Sequence, residues 1–285
     1  MTWEDTIIKI RKEDNYKTLV EQAYFDENLE LNVERFSQSE EYKETLNIIK
    51  SYTPHALSIL DIGCGNGISA INFALSGFEV TAVEPDKSNT VGAGAIKKLR
   101  EIYKLKNIDI FEAYAEDINF ESNSFDIVYV RQAMHHANNL EKFIKECVRV
   151  LKNKGLLLTL RDHVIFDDAD KKWFLKTHPL HKFYGGENAF TSVQYRSAIE
   201  NAGAKILKEY KYYDSIINYF PTGLEELKMI EKENILKQKK LLKDKIGIIS
   251  NVPFVWDFYK FIKGYKPLNE RQVPGRMYSY IAIKK

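Results

Sequence analysis

The segment Leu60-Asp61-Ile62-Gly63-Cys64-Gly65-Asn66-Gly67 sets three glycines at alternate positions directly after an apolar run. Glycines in such a turn let the main chain pass close to a ligand. The helix expected from near Ile68 would aim its unpaired N–H groups across the strand ends. A second acid, Glu84, closes the next apolar run 17 positions after Gly67 (84 − 67). A carboxylate there can accept hydrogen bonds from both hydroxyls of a ribose. The dinucleotide fingerprint needs its third glycine three positions after the second, where this chain has Ile68. The spacing therefore departs from an NAD or FAD site, and a tight turn with no ligand is the plain alternative.

The surrounding texture fits that placement. Apolar runs at 57–62, 79–84, 108–113, 126–130 and 155–160 alternate with helical patterns at 68–75, 92–103 and 140–151. Alternation of this kind builds a parallel sheet from right-handed β-α-β crossovers, with ligands at the carboxyl ends of the strands. Residues 1–50 read as two or three amphipathic helices. The polar, aromatic stretch 161–190 reads as loops overhanging the strand ends. A helix with Thr191 as N-cap runs to Asn201 and stops at Gly203; strands follow at 205–213 and 277–284. Between them lie a long charged helix at 222–245 and an aromatic stretch at 254–265, read as core packing. The domain division expected is a helical cover at 1–50, a core at 51–215 plus 274–285, and a helical insertion at 216–273.

Composition bounds the function classes. Lys plus Arg at 42 against Asp plus Glu at 40 leaves a formal charge of +2, too little to draw a polyanion, so nucleic acid is disfavoured as a partner. The apolar runs fall far short of the roughly 18–20 residues of a bilayer span, and the N-terminus lacks the pattern of a secretory signal. Cys64 and Cys147 are widely separated, which suits a reducing compartment and a cytoplasmic protein.

Beyond the glycine turn, the chain carries Val-Thr-Ala-Val-Glu-Pro-Asp at 80–86, Tyr-Ala-Glu-Asp-Ile-Asn-Phe at 114–120, the segment FDIVYVRQAMHHANN at 125–139 and VRVLKNKGLLLTL at 148–160. In this order they resemble the class I S-adenosylmethionine (SAM)-dependent methyltransferases, in the type 11 branch similar to the ubiquinone and menaquinone biosynthesis enzymes. The resemblance covers roughly 35–160. It implies a Rossmann-like seven-stranded α/β sheet with an N-terminal helical cover and a C-terminal helical insertion. It also implies SAM as cofactor, with Gly63, Gly65 and Gly67 under the methionyl and ribose portions, Glu84 on the ribose hydroxyls, and Ala115 with Glu116 bordering the adenine. Asp61, Cys64, Pro85 and Arg131 complete the candidate cofactor set. Tyr114 stands where the family often has an acid.

Methyl transfer from a sulfonium is an in-line displacement, so positioning the acceptor does much of the work. A general base helps when the acceptor is a hydroxyl. Five of the six histidines, at 135, 136, 163, 178 and 181, lie on the side where substrate should enter. His163 and Asp162 at the end of the fifth strand are the first candidates for base and orienter, followed by His136 and His135. The His178-Pro179-Leu180-His181 pair has no third ligand at suitable spacing, and no metal is expected. The loop Tyr184-Gly185-Gly186-Glu187-Asn188 offers polar groups to an acceptor, and Arg131, Arg161, Arg271 and Arg276 are candidate anion clamps. The expected activity is methyl transfer to an O or N atom of a small polar molecule, with a sugar or surface-polysaccharide precursor as first class, in a chain free to form a homo-oligomer. A nucleic-acid or protein methyltransferase, or a non-catalytic SAM-binding subunit, is the alternative.

Overall fold

A computed structural model describes residues 1–285, with the side chains of all but Asn251 and Pro253. Two compact units make up the chain, Met1–Asn218 with Pro274–Lys285, and Tyr219–Val273.

The first unit is built on strands β1 (Ser58–Ile62), β2 (Glu79–Val83), β3 (Ile108–Phe111), β4 (Phe125–Arg131), β5 (Leu151–Ile165), β7 (Ala204–Tyr210) and β8 (Met277–Lys284), with a short β6 (Phe190–Thr191) beside the end of β5. The sheet order is β3-β2-β1-β4-β5-β8-β7. Pairing is parallel from β3 through β5, and β8 runs antiparallel to both neighbours. Because β2 lies on one side of β1 and β4 on the other, the chain direction of the crossovers reverses there. That switch opens a crevice at the carboxyl ends of β1 and β4.

Helices α1 (Trp3–Arg11), α2 (Lys17–Gln22), α3 (Leu29–Gln38) and α4 (Glu40–Tyr52) precede the sheet. Thr2 and Asp5 form a capping box at α1, and Ser39 caps α4. They are followed by α5 (Ile68–Leu75), α6 (Ala93–Ile102) and α7 (Leu140–Val150). Helix α7 shows how the pattern dictates packing: Leu140, Phe143, Ile144, Cys147 and Val148 are buried against the sheet, and Asn139 caps its start by accepting from the Lys142 N–H.

The stretch 161–190 corrects the expectation of loops. Strand β5 continues to Ile165, then α8 (Asp168–Thr177) and the single turn α9 (His181–Tyr184) fold back before β6. The cause is legible locally, since Asp167 caps α8 through the Asp170 N–H and acids fill its first turn. Asp170 then pairs with Arg276, whose side chain is fully buried. Helix α10 (Ser192–Asn201) carries a Thr191–Gln194 capping box.

The single turn α11 (Ile216–Tyr219) ends the run of the first unit before α12 (Leu224–Ile246) and α13 (Pro253–Lys263), which form the second. Trp256 stacks on Tyr259 at 5.7 Å. Phe254, Phe258 and Phe261, expected as core, are instead solvent-exposed. Among the described residues, no helix is long and apolar enough to cross a membrane.

Candidate active site

The glycine turn joins β1 to α5. Gly63 donates its N–H to Val83 O at 2.8 Å and has a φ of 67°. A Cβ there would stand 2.5 Å from the Cβ of Ala133, so the turn and the loop after β4 approach closely only because Gly63 has no side chain. Glu84, at the end of β2, accepts from the Gly65 N–H at 2.7 Å through Oε2 and from the Asp86 N–H at 2.9 Å through Oε1. Burial pushes its carboxyl up to about 7, against the pull of those two amides. Asp61 is fully buried and accepts from Ser69 Oγ at 2.5 Å through Oδ2, while Oδ1 has no hydrogen-bond partner among the described residues. Burial raises this carboxyl to about 7 as well, with the Ser69 hydroxyl working against it. A buried oxygen left open is a demand for a donor. Cys64 is buried, its thiol on Val83 O, and Pro85 follows Glu84. Ala115 is buried, and Glu116 accepts from the Asn138 and Asn139 N–H groups, tying the loop after β3 to the start of α7. Tyr114 is exposed.

At the ends of β4 and β5 the chain assembles a second group. Asp162, fully buried, accepts from the His135 backbone N–H at 3.0 Å, and its Oδ1 lies 3.0 Å from His135 Nδ1. Nε2 of His135 lies 3.7 Å from Glu187 Oε2. Burial would hold His135 down, but the Asp162 and Glu187 carboxylates outweigh it and bring the imidazole up to about 9. His163 points Nδ1 at Gly275 O, 3.0 Å away. Burial and the neighbouring His135 push its imidazole well below the usual range, so it is neutral. Its ring lies 4.8 Å from that of His135 and 5.7 Å from that of His178. His136 is exposed, with Nδ1 3.2 Å from Gly186 O.

The N-terminal helices reach the same end of the sheet. Glu41 on α4 is fully buried and takes Arg131 in a bidentate pair at 2.5 and 3.1 Å. Arg161 stands 3.5 Å from the same carboxylate. Tyr24 and Phe36 face the Arg131 guanidinium at 5.7 and 5.3 Å. Asn66 of the glycine turn donates to Tyr24 O at 2.7 Å. Trp3 of α1 packs on Tyr184 of α9, and Tyr16, just before α2, packs on Phe183 of α9.

Residues 60–159 match the family model described as a methyltransferase domain. That match makes the segment a methyltransferase domain. The ubiquinone biosynthesis O-methyltransferase of Rickettsia prowazekii is 34% identical over 105 residues, which are 36% of this chain and 38% of that protein. The chain spans less than half the length of the curated relatives it matches. In fold, it is similar to the crystal structure of YcgJ from Bacillus subtilis at a TM-score of 0.53 and 20% identity, covering 86% of this chain and 99% of that one. It is also similar to geranyl diphosphate C-methyltransferase from Streptomyces coelicolor at 0.57 and 12%, covering 85% and 76%.

Within the methyltransferase domain and its continuation, Asp61, Gly63, Cys64, Gly65, Gly67, Glu84 and Pro85 gather at the ends of β1 and β2. His135, Asp162 and His163 come together at the ends of β4 and β5, while His136 sits at the exposed mouth. Arg131 and Arg161 are committed to Glu41 and Arg276 to Asp170, so these three clamp carboxylates of the chain itself. Two site residues escaped the sequence reading. Glu41 sits in a helix whose charged pattern reads as surface, and Glu187 was read as part of a polar loop although it packs against His135 and His178. The one signal at Glu187 was its setting among Tyr184, Gly185 and Gly186.

Proposed function

We propose that this chain transfers the methyl group of SAM to an oxygen or nitrogen of a small molecule. A sugar or surface-polysaccharide precursor is the first acceptor class to test. The observation that carries the reading is Glu84 held by Gly65 at the crevice, with the histidine–carboxylate group next along the sheet edge. When bound, SAM supplies an electrophilic methyl on a sulfonium. Glu84, already oriented by two amides, would accept from the ribose hydroxyls; the open Oδ1 of Asp61 would accept from the amino group of the methionyl portion. The N-terminal helices packed on α9 support an acceptor small enough to be enclosed. Asp162 fixes the orientation of the His135 ring, so the acceptor meets a rigid wall, and the alignment accounts for much of the acceleration. Two buried free thiols suit a reducing cytoplasm.

The test is turnover with isotopically labelled SAM against a panel of sugar nucleotides, hydroxylated small molecules and amines, alongside RNA and protein. Labelled product from a small acceptor, lost in Asp162→Ala, supports the reading. Transfer only to RNA or protein would replace it, and SAM binding without turnover on any acceptor would favour a non-catalytic subunit.

A further inference from the structure

We propose that His135, His163 and Glu187 hold a divalent transition-metal ion, and that the ion takes the acceptor oxygen as a further ligand. The proposal rests on the methyl-transfer reading and narrows it to an oxygen acceptor. One ring nitrogen of each histidine and one carboxylate oxygen of Glu187 lie within 4.8 Å of one another. Metal bonds of about 2.0–2.2 Å to nitrogen and carboxylate oxygen would draw these donor atoms in to about 3.4 Å from one another.

The supporting shell is already in place. A metal-binding histidine commits its other nitrogen to a carboxylate or carbonyl, which fixes the tautomer and aims the lone pair. His135 has Nδ1 on the Asp162 carboxylate, the ion taking the place of its Nε2 proton, and His163 has Nδ1 on the carbonyl of Gly275. A carbonyl can only accept, so His163 carries its proton on Nδ1 and presents a lone pair at Nε2. Glu187 is oriented by the Tyr184 hydroxyl, which donates to Oε1. Its other oxygen, Oε2, is buried without a hydrogen-bond partner among the described residues and lies 3.7 Å from His135 Nε2. Three ligands from two histidines and one carboxylate suit zinc, cobalt or ferrous iron and leave coordination positions open.

The chemistry balances without a further reagent. Coordination makes the acceptor hydroxyl more acidic. Its proton leaves to solvent water at the site. An oxygen lone pair then forms the new C–O bond as the methyl C–S bond breaks, and the sulfur leaves as a neutral thioether. His135 and His163 thereby hold the ion with Glu187, and Asp162 acts as a positioning residue.

The experiment is titration of untagged, chelator-stripped protein with Co(II), read by visible d–d absorption and by X-ray absorption at the cobalt edge. One equivalent bound with two imidazoles in the shell is the expected result. Replacing Asp162 by Asn should weaken Co(II) about 10- to 100-fold; Glu187→Gln and His163→Asn should weaken it at least as much, in protein that still binds SAM. Failure of the wild-type chain to bind Co(II), or an all-oxygen shell, overturns the proposal without help from any variant. The two readings separate through Glu84→Ala, which should lose SAM and keep Co(II). A wild-type chain that binds SAM and turns over fully after chelation keeps the methyltransferase and loses the metal.

Discussion

Arg131 donates through Nε to Glu41 Oε1 at 2.5 Å, joining the end of the central strand β4 to a helix of the N-terminal cover across 90 residues of sequence. Burial alone would raise the Glu41 carboxyl, yet Arg131 and Arg161 outweigh it and hold it below its ordinary value. The pair is therefore ionised inside the protein. Glu41→Ala would leave two buried guanidiniums without their carboxylate, at a cost of about 3–5 kcal/mol. Thermal melts should show a fall of roughly 10 °C, at about 2–4 °C per kcal/mol for a chain of this size. A melt within 2 °C of wild type would contradict the ionised pair.

Gly63 and Gly77 provide an internal comparison. Both have positive φ, at 67° and 92°, but a Cβ at Gly77 meets nothing within 4 Å, whereas one at Gly63 collides with Ala133. Gly77→Ala should cost about 1–2 kcal/mol from backbone strain. Gly63→Ala should add a further 1–3 kcal/mol or so of overpacking and weaken SAM, because the Gly65 N–H that orients Glu84 lies two residues on. Chemical denaturation of both variants measures the difference, and equal losses would refute the close approach.

Much of the sheet could be read from the chain because its signals are local. The apolar run before Gly63 and the turn itself specify β1 and α5, and Thr191 with Gln194 specifies the start of α10. The histidine–carboxylate group could not be read this way. His135, His163 and Glu187 stand 28 and 24 positions apart (163 − 135 and 187 − 163) on a 3-10 turn, a strand and a loop. They converge only because β5 runs on to Ile165 and α8 and α9 fold back. Asp167 caps α8, but the aromatic and polar texture of the segment hides the helix. Glu41 was illegible for a different reason: its partners Arg131 and Arg161 lie at the ends of strands remote in sequence, and a carboxylate in a first helical turn ordinarily faces solvent.

Arg276 and Asp170 make a comparable prediction for the segment after β5. The Arg276 side chain is fully buried against Asp170 and the Val164 carbonyl. Asp170→Ala should therefore loosen α8, costing about 3–5 kcal/mol. Hydrogen exchange should accelerate in 166–177 before it does so in β1 and β4. Uniform exchange across both would contradict a local role.

Burial of Glu84 fixes the direction of a pH effect. Its carboxyl, raised to about 7, is protonated below that value, and only the ionised form accepts from both ribose hydroxyls. SAM should bind about tenfold more tightly at pH 8 than at pH 6, following the ionised fraction of a group with a pKa near 7. Glu84→Gln should flatten that dependence; an unchanged slope in the variant would assign it to another group.

The most direct measurement is calorimetric titration of the purified chain with SAM and with S-adenosylhomocysteine, repeated on Glu84→Ala. Micromolar binding of both, weakened at least tenfold in the variant while its melt is retained, is the result expected if Glu84 grips the ribose at about 1.4 kcal/mol or more. No heat from either ligand, or equal affinity in the variant, would contradict the assignment of this crevice to SAM.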